Sequence, residues 1–319
     1  MKLLDEAVRI DLFGTDVYAF GLYCAIGAAF ALIACGVICR MWNMKKGTAP
    51  LFGCLSLILG AVCGRLVFCL MDMELGGLIP LPAWFRIEIG GWSLFGLMGG
   101  VFFAAWLTAK LTGQKPLALL DTAACVLPLF ITAERLAEAR IEGFNISRSL
   151  GEDFPDIPFL TVRDEVYGVR FLATYHLAAV LAVILFLGFL LLILRDRRRT
   201  GDLWILFLML AGAGGILLES LRYDHFLEFS FVRFQQVLAA MMLVWGVLLA
   251  GKGCRRTQHR WFTGAVIALI VAVGVGIGVE FALDRTRFSH VILYILMIAA
   301  LAVPVAMGIR MMKKREGNE

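Results

Sequence analysis

The sequence predicts an all-α polytopic membrane protein of about nine transmembrane helices. Of its 319 residues 61% are hydrophobic and only 17% charged, and the mean hydropathy is +0.84. That balance is outside the range of soluble domains. Apolar runs recur at the length of roughly 20 residues that a helix needs to cross the hydrocarbon layer. A third observation is that Lys and Arg gather in alternate connections between those runs, as topology signals do.

The runs have approximate cores at residues 17–39, 51–70, 92–109, 117–133, 171–194, 203–221, 234–250, 261–283 and 291–309. Counting Lys and Arg in the connections puts 17 on one side, among them Lys46, Arg198 and Lys314. The other side holds 12, five of them in the single long connection 134–170. Nine crossings then place the N-terminus outside and the C-terminus in the cytoplasm. The net charge of +5 is accounted for by these flanking basic residues and requires no nucleic acid. Seven of the eight cysteines (Cys24, Cys35, Cys39, Cys54, Cys63, Cys69 and Cys125) lie in apolar runs, Cys254 outside them. No CxxC pair occurs, and small apolar filler explains them. Leu32-Ile33-Ala34-Cys35 has the form of a lipobox but lacks a clean basic segment before it.

The chain is organised around residues 121–144. There an apolar run leads into Glu134, Arg135, Glu138, Arg140 and Glu142. Hydrocarbon does not tolerate such groups without partners or water. On the alternating map they fall at the outer end of span 4. Arg65 lies in the outer third of span 2, and Glu219 and Arg222 end span 6. Ser93 begins span 3, Tyr175 and His176 span 5, and Gln235 and Gln236 span 7; Glu280 lies near the outer end of span 8. The polar groups thus collect at one depth, that of the outer leaflet. Arg135 and Glu138, and likewise Glu219 and Arg222, are three residues apart and can pair within a helical turn. The arginines suit the phosphate of an anionic phospholipid, since a guanidinium holds oxyanions through two parallel hydrogen bonds. His176 has the chemistry of a proton acceptor, though a lone histidine in a helix is more often a hydrogen-bonded structural residue. No His or Cys pair has metal-ligand spacing, and no dinucleotide or phosphate-loop fingerprint occurs. No metal or cofactor is expected. In the connection 145–170 the stretches 159–162 and 166–169 are expected to form a short hairpin about Asp164, a lid or docking arm over the polar groups.

These residues resemble bacterial prolipoprotein diacylglyceryl transferases over about residues 17–250. Phe20-Gly21-Leu22 resembles that family's Tyr-Gly-Leu, and Gly64-Arg65-Leu66 its Gly-Arg-Leu/Ile. Gly90-Gly91-Trp92-Ser93-Leu94-Phe95-Gly96 is similar to its Gly-Gly-Met-Ser-Phe-His-Gly. Glu134-Arg135-Leu136-Ala137-Glu138 stands in place of its Gly-Arg-Leu/Ile-Gly-Asn. Arg170 to His176 falls where the family has Arg-His-Pro-x-Gln-Leu-Tyr. Glu219-Ser220-Leu221-Arg222 is similar to its Glu-Phe-x-Arg, and Gln236 to its Gly-Gln. Phe95 and Phe20 replace its histidine and tyrosine, Glu138 and Ile141 its two asparagines, and Gly215 an arginine.

The resemblance implies a seven-span core over residues 1–250 followed by two additional spans in 251–319. It implies a bacterial plasma-membrane enzyme that moves a diacylglyceryl group from phosphatidylglycerol to the lipobox cysteine of a pre-lipoprotein. Arg65, Arg135 and Arg222 are then the phosphate-binding residues. Glu138, His176 and Glu219 are the catalytic candidates, and Ser93, Glu134, Tyr175 and Gln236 support them. Spans 8 and 9 are expected to pack beside the core without supplying an essential catalytic group, Glu280 being the one residue there at site depth. A second reading stays open, that of a non-catalytic relative binding anionic phospholipid or lipoprotein as partner, regulator or transporter.

Overall fold

The computed structural model describes residues 9–12, 14–71, 84–85, 91–141, 146–151, 154–163, 168–195, 199–222, 228–229, 232–252, 259–286 and 288–316. Among the described residues nine helices are long and apolar enough to cross a membrane. They are α1 (Ala19–Met41), α2 (Thr48–Met71), α3 (Leu94–Thr112), α4 (Pro116–Glu138), α5 (Thr174–Leu194), α6 (Asp202–Leu221), α7 (Phe234–Gly251), α8 (His259–Arg285) and α9 (His290–Glu316). Short antiparallel pieces complete the chain: β1 (Arg9–Leu12) with β2 (Thr15–Tyr18), β3 (Ile146–Gly151), β4 (Thr161–Arg163) and β5 (Arg170–Ala173) in the order β3-β5-β4, and β6 (Glu228–Phe229) with β7 (Val232–Arg233). The protein is an all-α polytopic membrane protein, and each expected span is a helix.

Two boundaries differ from the sequence expectation. Helix α4 continues past residue 133 to Glu138. The charges that read as a terminus are its last turns, and there Arg135 and Glu138 satisfy each other one turn apart. Span 5 begins at Thr174 rather than 171, because Arg170–Ala173 is strand β5. Of the described residues, Thr161, Val162 and Arg163 pair with Leu172, Phe171 and Arg170; the turn expected about Asp164 and residues 166 and 167 of its second stretch lie outside the described residues. Residues 171–173 read as part of the apolar run that follows. Gly90, Glu142, Asn145, Asp153, residues 164–167, Arg197, Arg198, His225, Cys254, Arg255 and Arg256 lie outside the described residues.

The chain divides into two compact units, Met1–Thr200 with Leu221–Phe226, and Gly201–Ser220 with Leu227–Glu319. In the first, α2 lies against α3, α1 against α4, and α4 against α5. Small residues permit the close approaches. A Cβ on Gly96 of α3 would collide with the Cys63 carbonyl of α2, one on Gly100 with the Leu59 carbonyl, and one on Gly27 of α1 with Ala133 of α4. In hydrocarbon such backbone proximity, rather than water exclusion, drives helix association. The Lys45 ammonium donates to the Thr112 carbonyl at 2.8 Å, at the C-terminal end of α3, where a cation complements the helix dipole.

In the second unit α6 meets α7 through Gly212, which faces Ala239 and Leu243, and through Gly246, which faces Met209. Helix α9 lies against α8 and α7. Gly308 of α9 fits beside Met209 and Ala250.

Candidate functional site

The first unit buries a charge cluster at the C-terminal end of α4. The Arg135 guanidinium donates through Nη1 to Glu138 Oε1 at 2.6 Å, and its Nε lies 3.2 Å from Glu134 Oε2. Arg222 brings Nη2 to 3.8 Å from the same Glu138 oxygen. Their side chains are only 8% (Arg135), 3% (Glu138) and 6% (Arg222) exposed. Two guanidinium and two carboxylate groups make the cluster formally neutral, which suits its apolar surroundings. Glu138 Oε2 is buried with no hydrogen-bond partner among the described residues.

Local structure fixes each member. Glu134, Arg135 and Glu138 share a face because three- and four-residue spacings superpose on a helix. Arg222 follows the last residue of α6, and its backbone pairs with Ser147 of β3 in an isolated antiparallel bridge. The Ser147 hydroxyl accepts from the Leu172 amide of β5 at 2.7 Å. The small sheet therefore holds the Arg222 backbone.

Arg65 is partly buried on α2. It donates through Nε to the Trp84 carbonyl at 3.2 Å and through Nη1 to the Gly91 carbonyl at 3.1 Å. Its guanidinium lies 5.6 Å from the Phe68 ring centroid and 5.9 Å from that of Trp92. Ser93 caps α3: its amide donates to the Gly64 carbonyl at 3.0 Å, and its hydroxyl accepts from the Gly96 amide at 3.5 Å. The two stretches with Gly64-Arg65 and Gly91-Trp92-Ser93 are thus brought together.

Tyr175 is buried at the start of α5, edge-on to the ring of His176. His176 stacks on Phe159 with centroids 4.1 Å apart and an 11° tilt, and its Nδ1 lies 2.6 Å from the Phe159 carbonyl. A carbonyl only accepts, so Nδ1 carries the proton and, in the neutral ring, Nε2 is the basic nitrogen. Phe159 has a φ of +72°, rare for a bulky residue, and this turns its carbonyl and its ring onto one histidine. Sequence reading did not single out Phe159, because nothing in an apolar residue announces an αL conformation. Outside this cluster, Arg140 donates to the Tyr23 hydroxyl at 3.2 Å.

The second unit holds the remaining predicted residues. Glu219 of α6 is buried, and Gln235 of α7, with its amide nitrogen turned toward the carboxylate, donates to both oxygens at 3.0 and 3.1 Å. Gln236 accepts through Oε1 from the Arg233 amide at 3.1 Å and donates through Nε2 to Glu280 Oε1 at 2.7 Å. Sequence reading missed Arg233, which is also buried. An arginine beside an apolar run reads as a flanking charge.

Fold and site together define a multi-pass membrane protein that places paired guanidinium and carboxylate groups within its helices. The model of the prolipoprotein diacylglyceryl transferase family matches residues 7–251. The chain belongs to that family, a family of bacterial membrane proteins. Among similar proteins, the phosphatidylglycerol–prolipoprotein diacylglyceryl transferase of Symbiobacterium thermophilum is 29% identical over 177 residues, 54% of this chain and 64% of that protein. The one from Staphylococcus haemolyticus is 24% identical over 206 residues, 61% of this chain and 69% of that protein. The one from Oceanobacillus iheyensis is 21% identical over 253 residues, 76% of this chain and 86% of that protein. The chain therefore spans just under two thirds of the first relative's length. Helices α8 and α9 lie beyond the family match.

Proposed function

We propose that the protein transfers a diacylglyceryl group from phosphatidylglycerol to the lipobox cysteine of a pre-lipoprotein, at the outer leaflet of the bacterial plasma membrane. The N-terminus lies outside and the C-terminus in the cytoplasm, as the distribution of Lys and Arg argues. Helices α1–α7 form the transferase core, and α8 and α9 are appended to it.

The observation that carries the reading is the buried Arg135–Glu138–Arg222 cluster on the family's arginine positions. In the reaction the cysteine sulfur attacks the glyceryl carbon that bears the phosphate. A C–S bond forms, the C–O bond breaks, and glycerol phosphate leaves with the bonding electron pair. Negative charge grows on the phosphate oxygens, and preorganised guanidinium groups stabilise it most where water is excluded. Arg135 and Arg222 fill that role, and Arg65 assists on the family's pattern.

The thiol must lose a proton, since its unperturbed pKa is about 8.5. Glu138 Oε2 and His176 Nε2 are the two acceptors for it. Glu138 carries a further consequence. Phosphate arriving on Arg135 competes with that carboxylate, so donor binding loosens Glu138 as the thiol needs a base. Glu219 is the third catalytic candidate, held by Gln235. Ser93, Glu134, Tyr175 and Gln236 are supports, with Gln235 beside them.

The experiment is transfer from phosphatidylglycerol to a lipobox peptide by the purified protein, followed by mass spectrometry of the thioether. Product formed by wild type and lost in Arg135→Ala supports the assignment. Phosphatidylglycerol binding with no product from wild type would refute the transferase and leave a lipid-binding protein.

A further inference from the structure

We propose that Glu280 is a positioning residue that fixes the carboxamide of Gln236, so that an appended helix holds a side chain of the family-matched region. The inference rests on the transferase reading for the part Gln236 plays. It goes beyond the family match, which ends at residue 251.

Gln236 is 4% exposed, and both ends of its amide are engaged. Nε2 donates to Glu280 Oε1 at 2.7 Å and lies 3.4 Å from the Ile216 carbonyl of α6. Oε1 accepts from the Arg233 amide at 3.1 Å. A carboxamide can turn over, exchanging its donor and acceptor ends. Turned over, this one would set its oxygen against the Glu280 carboxylate and its NH2 against the Arg233 N–H. Two acceptors and two donors would then face each other. Glu280 therefore selects one orientation of Gln236 and, through it, fixes the first turn of α7 that also carries Gln235. A second tie acts on the same unit. Tyr294 of α9 donates to the Ser220 carbonyl at 3.3 Å, with the Ser220 hydroxyl also 3.3 Å from its oxygen. Helices that only filled lipid-facing surface would need neither a carboxylate nor a phenol, since burying such groups is unfavourable unless they are hydrogen-bonded.

The test uses the full chain with Glu280→Ala, Glu280→Gln, Gln236→Ala and the Glu280→Ala/Gln236→Ala double variant. Two readouts are taken: kcat and KM for transfer to a lipobox peptide, and amide hydrogen exchange over residues 232–238 in phosphatidylglycerol vesicles. Loss of a charge-assisted hydrogen bond changes an equilibrium by about tenfold or more. Glu280→Ala is expected to lower kcat about tenfold with KM little changed and to speed exchange over 232–238 by a similar factor. Glu280→Gln is expected to recover both in part, because its side-chain oxygen still accepts from Nε2 while its own NH2 no longer excludes the turned-over Gln236. The double variant should be no worse than Gln236→Ala alone. Wild-type kcat and exchange in Glu280→Ala, or fully additive losses in the double variant, would overturn the proposal. If wild type forms no product, the transferase reading fails. Exchange then decides the positioning role: faster exchange in Glu280→Ala partly rescued by Gln supports it, and unchanged exchange refutes it.

Discussion

Arg135 donates to Glu138 at 2.6 Å from one turn away on the same helix, and both side chains are shut off from solvent. The pair is the electrostatic centre of the first unit. Arginine is suited to it because its planar fork holds an oxyanion through two parallel hydrogen bonds, a geometry that a lysine ammonium does not present. Arg135→Lys is therefore expected to weaken phosphatidylglycerol binding by roughly tenfold to a hundredfold, and Arg135→Ala by more. Binding to vesicles of graded phosphatidylglycerol content, with helicity checked by circular dichroism, measures it. Equal binding by all three proteins would remove the phosphate role.

Removing Glu138 alone leaves Arg135 and Arg222 buried beside each other with one carboxylate fewer. Breaking a buried ion pair from one side is destabilising by about 3–5 kcal/mol. Glu138→Ala should lose stability on that scale in detergent, whereas Glu138→Gln, still an acceptor for Arg135, should lose less. Thermal unfolding of the two variants separates these outcomes. An equal loss in both would mean that the carboxylate's charge, and not its role as acceptor, supplies the stability.

His176 offers a sharper division between chemistry and scaffold. Its Nδ1 proton is directed to Phe159, so only Nε2 can take a proton. His176→Gln is expected to reduce kcat by about a hundredfold or more while phosphatidylglycerol binding persists, the size of effect general-base catalysis supplies. An undiminished kcat would assign His176 to holding the β3-β5-β4 sheet and leave Glu138 as the base.

The contact of α2 with α3 leaves no room at Gly96 or Gly100. Gly96→Ala should destabilise the protein by about 1–3 kcal/mol, because the obstacle is the Cys63 backbone and not a movable side chain. Gly99→Ala, with open space around it, is the control and should behave as wild type. A neutral Gly96→Ala would contradict this packing.

Orientation is open to direct chemistry. Single cysteines in place of Lys46, Arg198 and Lys314 should resist an impermeant thiol reagent added to intact cells, and one in place of Asp153 should react. Labelling at 198 from outside would invert the proposed map.

The helices were legible because each is an apolar run of membrane-crossing length, a property of composition that no tertiary context overrides. So was the end of α4, where Glu134, Arg135 and Glu138 have the composition of a helix terminus and form its last turns, a few residues beyond the apolar core at 117–133. Strand β5 was hidden because Phe171, Leu172 and Ala173 are as apolar as the helix they precede. The candidate arginines were visible as charges in the wrong solvent. Their partners were not, since which faces of two helices meet depends on rotation about their axes, which hydropathy does not record. That is why Gln236 was visible and its bond to Glu280 was not.

The same bond has a bearing on how the protein is made. Glu280 lies 44 residues after Gln236, in a helix synthesised and inserted after α7. Chains emerge from the ribosome at about 5–20 residues per second, so α7 waits some seconds before its acceptor exists. Through that interval the Gln236 amide has not yet met the group that orients it. A nascent chain thus reaches its finished geometry around Gln236 only after α8 has been made and inserted.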